Sequence, residues 1–168
     1  MATSVTTEPE IVERKEQPYM GIRTWIPSKD LSVWQVKLTK ELSKWLDAHG
    51  VKAVGPVFHR FYVINMGTEF DFEIGIPVEK TVEGDDRVKP GVLPAGRYAA
   101  LVYTGRSHVY KGNKTLVERA RDNGIKWDRW DDPRGDAFRS RYESYLTDRM
   151  SDVDKKDWQT EVAIKVAD

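Results

Sequence analysis

The order strand, helix, strand, strand occurs twice along this chain, and that recurrence constrains the fold more than any other feature. In the first pass, residues 9–26 read as a long or interrupted strand. Pro18 confines it to an edge or a bulge, because proline cannot donate to a ladder. The stretch LSVWQVKLTKELSKWLDAHG follows. Its Leu31, Trp34, Leu38, Leu42, Trp45 and Leu46 recur at helical spacing, with Lys37, Lys40, Glu41 and Lys44 on the other face. Asp30 suits the N-cap and Gly50 the C-cap. VFHRFYVIN (57–65) and EFDFEIGIPV (69–78) then form a hairpin across Met66–Gly67–Thr68.

The second pass repeats the order. RYAALVYTG (97–105) is strand-like, and 107–124 reads as a helix weakened near its start by Gly112 and Asn113. Leu116, Val117 and Ala120 mark its apolar side and Gly124 caps it. AFRSRYESYL (137–146) and WQTEVAIKVA (158–167) are the last strands. The connector 79–96 is rich in Gly, Pro and charge, with a short strand around Val88. Residues 125–136 read as a loop rich in Trp and Asp.

The two passes also align. Tyr19-Met20-Gly21-Ile22 matches Tyr98-Ala99-Ala100-Leu101, Phe58-His59-Arg60 matches Phe138-Arg139-Ser140, and Glu73 through Val78 matches Glu161 through Val166. Duplication of one βαββ unit accounts for this. The fold class expected is α+β: a duplicated βαββ pseudo-dimer with one antiparallel sheet, both helices on one face, and an open, concave face free to bind something. Residues 1–8 are polar and expected to be disordered. Residues 9–168 form one domain, with repeats at about 9–78 and 97–167.

Strand side chains alternate between faces. The aliphatic sets Phe72, Ile74, Ile76, Val78 and Val162, Ile164, Val166 belong under the helices. That sends Glu73, Gly75, Glu161 and Ala163 to the open face. In RYESYLTD, Leu146 is the better core candidate, which places Glu143 and Tyr145 on the open side too. Solvated glutamates on the wet side of an antiparallel sheet would give the same pattern. The functional alternative is a carboxylate inside an aromatic-walled cavity, its burial offset by a cationic ligand that the ring faces also attract.

Composition narrows the chemistry. The chain has 168 residues and 27 basic against 27 acidic side chains, so no net charge favours nucleic acid or an anionic membrane. Absence of cysteine removes disulfides, thiolate catalysis and cysteine zinc sites. The three histidines, His49, His59 and His108, lack metal-ligand spacing. No metal or other cofactor is expected. No signal peptide and no apolar run of about 18 residues is present. The expectation is a cytoplasmic protein with no membrane or direct nucleic-acid partner.

Taken together, the duplicated order, RYESYLTD, TEVAIKV, GIPV before the connector and LPAGRYAALVYTG resemble the GyrI-like small-molecule-binding domain, which is also the effector-binding domain of AraC-type and multidrug-responsive regulators. The resemblance covers roughly residues 8–167. It implies a ligand cleft across the concave face of the pseudo-dimer, holding a glutamate and aromatic side chains that accept lipophilic, often cationic compounds. The glutamate of the family's E-x-Y motif falls on Glu143, with Tyr145 after it; the last-strand glutamate falls on Glu161. Tyr103, Trp130, Phe61 and Trp25 are the candidate walls, Trp130 as a lid. Trp34 and Trp45 fit the helix core stripe and are left out. Some stand-alone members resemble hydrolases that open the cyclopropane of DNA-alkylating natural products. There Glu143 or Glu161 would activate water, and Tyr145 or Tyr103 would steady the oxyanion. The founding member inhibits gyrase, so a gyrase-type partner is a third expectation. Regulator members carry a DNA-binding domain, for which this sequence leaves no room, and a stand-alone binder or hydrolase is expected instead.

Overall fold

The computed structural model describes residues 5–65, 67–148 and 151–168; Met66 of the expected hairpin turn and residues 1–4 lie outside them. Ten strands and two α-helices occur in the order β1 (Glu10–Arg14), β2 (Gln17–Pro27), α1 (Leu31–Ala48), β3 (Phe58–Ile64), β4 (Glu69–Pro77), β5 (Lys89–Leu93), β6 (Gly96–Thr104), α2 (Val109–Asp122), β7 (Arg129–Asp132), β8 (Gly135–Phe138), β9 (Arg141–Tyr145) and β10 (Gln159–Lys165). The main path of the antiparallel sheet runs β1-β6-β10-β9-β3-β4-β2-β5. The fold is α+β, as the sequence predicts. Gly50 and Gly124 end the helices at positive φ, 64° and 69°, where a side chain would be strained.

Neither half supplies its own outermost strand. The first long strand breaks at Lys15–Glu16. Its front part, β1, pairs with β6 of the second half, while β5, from the connector, pairs with β2 of the first. The halves are thus joined by two exchanged edge strands as well as by the central β3–β9 pair. Val5–Thr7, expected to be disordered, continue along the same edge: Thr7 N–H donates to Val102 O at 2.8 Å and Thr104 N–H to Val5 O at 2.8 Å. The unpaired edge of β6 supplies the partners that the polar sequence of this segment did not announce.

Two further departures are local. Residues 125–136 are not all loop, since β7 forms a hairpin with β8, and β8 pairs with β3. The strand expected over 137–146 is interrupted at Arg139–Ser140, which divides β8 from β9.

Register fixes which residues of the two halves are equivalent. Gly75 stands between Gly21 and Phe58; Ala163 stands between Ala100 and Tyr142. Tyr19 therefore corresponds to Tyr98 and Glu73 to Glu161, as the sequence alignment has it. Phe58 corresponds to Tyr142, not to Phe138. Counting onward, His59 matches Glu143, Arg60 matches Ser144 and Phe61 matches Tyr145.

Apolar packing divides by face. On the helix side Leu38, Leu42 and Leu46 of α1 pack on Ile22, Phe72, Ile74 and Ile76, and Leu116 of α2 packs on Leu101, Val162 and Ile164. Burying each such leucine stabilises the fold by about 1.5–3 kcal/mol. The concave side holds a smaller cluster of Tyr19, Phe58, Leu93, Tyr98, Ala100, Tyr142 and Ala163. Among the described residues, no helix is long and apolar enough to cross a membrane.

Candidate functional site between the helices

The strand β9 settles where Glu143 points. It lies opposite Val162 on one side and His59 on the other, and Val162 is a core residue beneath α2. Glu143 and Tyr145 therefore face the helices, not the open side. Tyr142 and Ser144 take the concave face, opposite Ala163 and Phe58. Leu146, expected in the core, is 47% exposed. The reversal has a physical cause. The gap between the helices is not filled by aliphatic side chains, so a polar pair can occupy the helix face at the centre of the sheet.

That gap is a two-lobed cavity. One lobe, about 390 Å³, is lined by Gln35, Thr39 and Ser43 of α1 with His59, Tyr145 and Asp148. The other, about 280 Å³, is lined by Lys29, Ser32, Tyr103, Arg106 and Glu143. Gln35 and Tyr145 belong to both. Glu143 is only 8% exposed and accepts a hydrogen bond from the Tyr103 hydroxyl at 2.9 Å. The Tyr145 hydroxyl is hydrogen-bonded to His59 Nδ1, and the His59 ring meets the Tyr145 ring edge-on at 4.3 Å. Tyr103 is held by close contact with Gly112, where a Cβ would come within 2.6 Å of its ring. The glycine that weakens the start of α2 thus lets the helix sit against the tyrosine.

Arg141, on the same face of β9, donates to Asn113 Oδ1 of α2 at 2.9 Å. Burial pulls its guanidinium below the ordinary value, and the Glu143 carboxylate acts in the opposite direction. The chemistry available here is a buried carboxylate, phenolic donors and an imidazole around a half-open space. Among the described residues no cluster of three or more His, Cys, Asp or Glu could hold a metal.

The remaining candidates lie elsewhere. Glu161 is on the concave face, gripped by Arg14 of the exchanged strand through two contacts, 2.7 and 2.9 Å. Arg14 also donates to the Tyr142 hydroxyl at 2.7 Å, and the Glu161 pairing raises its pKa. Phe61 is 6% exposed and packs against Phe70 and Phe72 in the core. Trp25 carries Arg134 over its ring at 4.3 Å. Trp130 is 44% exposed beneath Arg139 on β7, so it does not cover the cavity. His59 and the polar side of α1 were missed. One signal was present: Ser32, Gln35, Thr39 and Ser43, uncharged and polar, recur at one helical face beside a lysine-rich one.

A model of the GyrI-like small molecule binding domain matches residues 7–167. The chain belongs to the GyrI-like family. Among solved structures, this GyrI-like chain is similar to the EcmrR C-terminal domain, with a TM-score of 0.79 and 18% identity over 95% of this chain and 97% of that one. It is also similar to EcmrR in complex with DNA, with a TM-score of 0.80 and 18% identity over 96% of this chain. It spans 57% of the length of that EcmrR chain. SAV2435 bound to tetraphenylphosphonium gives a TM-score of 0.65 at 9% identity, over 96% of this chain and 94% of that one. A hydrolase from Listeria innocua gives 0.61 at 15% identity, over 95% and 92%. At these identities the likeness is one of fold. No curated protein matches the chain.

Proposed function

We propose that the inter-helix cavity binds lipophilic, cationic small molecules, with Glu143 as the charged anchor. One observation carries this: a carboxylate 8% exposed lines a half-open cavity of the GyrI-like fold beside Tyr103 and Tyr145. Burial disfavours an ionised carboxylate, and a bound cation offsets that cost while the tyrosine faces attract the same charge. The larger lobe, about 390 Å³, is within the range of small-molecule pockets. The likeness to SAV2435, whose structure holds tetraphenylphosphonium, supports the same ligand class.

The test is titration with tetraphenylphosphonium and with uncharged triphenylphosphine oxide. Glu143→Gln retains the shape and an acceptor for Tyr103 but removes the charge. It should weaken the cation by about 10–100-fold, the worth of a charge-assisted contact, and leave the oxide unchanged. Equal affinity of wild type and variant for the cation would remove the anchor role.

A second reading, hydrolysis of a cyclopropane conjugated to a carbonyl, draws on two observations. Glu143 stands opposite His59 across β3–β9, with Tyr103 and Tyr145 as donors nearby. The Listeria hydrolase shares the fold. Water oxygen would bond to the ring carbon as Glu143 takes its proton. The breaking C–C pair would flow toward the carbonyl, whose oxygen a tyrosine holds. Mass spectrometry of a cyclopropane alkylator after incubation decides it. Many equivalents of a one-water adduct, lost in Glu143→Gln, mark an enzyme; recovered starting compound marks a binder.

A further inference from the structure

The concave face carries a second cavity, of about 340 Å³, lying back to back with the first. Alternate residues of β3 and β9 line the two spaces. His59, Glu143 and Tyr145 face the helix side, and Phe58, Tyr142 and Ser144 the concave side. Pro56 touches both.

The duplication explains why the concave space exists. In the first half, Arg60 fills the concave position. It is 7% exposed and donates to Tyr19 Oη at 3.0 Å, to Val92 O at 3.1 Å and to Arg139 O at 2.9 Å. Its counterpart in the second half is Ser144, which is far smaller. The room it leaves is bounded by Phe58, Tyr98, Tyr142, Leu93 and the β1–β2 turn. Ser144 is 9% exposed, and its hydroxyl lines the cavity without a hydrogen-bond partner among the described residues.

We infer that this cavity is a second small-molecule site, selective for flat, uncharged aromatic compounds that carry a hydrogen-bonding oxygen or nitrogen. Three aromatic rings bound the space, with Tyr142 edge-on to Phe58 at 5.7 Å and to Tyr98 at 5.9 Å. Such rings give apolar contact and edge-to-face packing. The free Ser144 hydroxyl supplies the single polar contact that fixes orientation. Charge is disfavoured in either sign. Arg14, which lines the cavity, is already paired with Glu161, so a cation would meet the arginine and an anion would have to compete with the glutamate for it. Lys15 and Glu16 at the rim are opposite in sign. This site therefore complements the cation-selective one across the sheet and does not depend on it.

The probe is Nile red, an uncharged, flat dye with a carbonyl oxygen, titrated by fluorescence with tetraphenylphosphonium absent and then saturating. The dye should bind in both conditions. Ser144→Phe fills the cavity and should weaken the dye at least about tenfold while leaving the cation within about twofold. Because the chain has no cysteine, Ser144→Cys places a single thiol in the site. Nile red should slow its maleimide labelling and tetraphenylphosphonium should not. This arm stands even if Ser144→Phe fails to fold. Displacement of the dye by the cation, absence of dye binding, or labelling indifferent to the dye would each overturn the site. Cation binding lost with dye protection intact would refute the inter-helix proposal alone.

Discussion

Glu73 and Glu161 occupy equivalent positions in the two halves of the sheet, yet they are neutralised by arginines from different strands. Glu161 meets Arg14 directly, from the exchanged strand β1, with the two side chains 21% and 28% exposed. Glu73 is 6% exposed and meets its arginine through a relay. Tyr19 and Tyr62 donate to its carboxylate at 2.5 and 2.7 Å, and Arg60 donates in turn to Tyr19 at 3.0 Å. The arginine sits on β3 in one half and on β1 in the other. Where β3 has Arg60, β9 has Ser144; where β1 has Arg14, β5 has Leu93. Duplication kept the carboxylate and let its counter-charge migrate. One half thereby became packed and the other open.

The depth of the two networks predicts unequal costs. Arg60→Met leaves Glu73 buried without its counter-charge, a loss of about 3–5 kcal/mol for a broken buried pair. The variant also removes the buried Arg60 Nε, a donor with no partner among the described residues, so the low end of that range is expected. Arg14→Met breaks a half-exposed pair and should cost about 1 kcal/mol. Urea denaturation of both variants measures this. Equal losses would mean that the two halves are energetically alike and that the comparison is only geometric.

A smaller contrast lies between Gly75 and Ala163. A Cβ at Gly75 would collide with the Phe58 ring, whereas Ala163 already carries one against Tyr142. Gly75→Ala should destabilise by about 1–3 kcal/mol through overpacking. Ala163→Gly should cost about 0.5–1 kcal/mol from backbone entropy. Thermal midpoints that reversed this order would show Phe58 to be free to move aside.

These contrasts also mark how far the sequence could be read. The helices, the aliphatic faces and the pairing of Glu73 with Glu161 follow from period and repeat, because burial on one face imposes them. The facing of Glu143 does not. In RYESYL each parity offers one tyrosine, Leu146 favours the wrong one for the core, and the choice depends on a gap between helices that no local pattern encodes. The exchange of β1 and β5 is equally silent, since a strand's sequence does not name its partner. The Phe58–Phe138 alignment slipped because the β7–β8 hairpin inserts residues that composition made look like loop. Of the seven site candidates, Glu143, Tyr145 and Tyr103 come together; Glu161, Phe61, Trp25 and Trp130 do not line that cavity.

The relay around Glu73 gives the first half an alkaline liability; in the second half burial also raises Tyr142, but there the Arg14 charge opposes the shift where in the first half Glu73 adds to it. Burial, and then the Glu73 charge, push the Tyr62 hydroxyl up to about 12, and the same two causes raise Tyr19. In the unfolded chain these phenols ionise near 10. Below that pH both states hold the proton and the stabilisation is complete. From about pH 10 upward the unfolded state releases protons that the folded state keeps, so stability falls until the folded pKa is passed. Chemical denaturation between pH 9 and 12 should show this decline, and Tyr62→Phe should flatten it. A decline unchanged in Tyr62→Phe would assign it to other groups.

The weakest expected effect tests the boundary of the site. Trp130 stands on β7, 44% exposed, with Arg139 over its ring at 5.2 Å. An exposed cation–π contact is worth about 0.5–1 kcal/mol, so Trp130→Ala should lower stability by no more than that. Its effect on tetraphenylphosphonium should be smaller still, because among the described residues β7 pairs with β8 alone and borders neither lobe between the helices. A loss of cation affinity in Trp130→Ala would mean that the β7–β8 hairpin folds over the ligand. The helix-side cavity would then have a wall drawn from the second half that its first-half counterpart has no segment to supply.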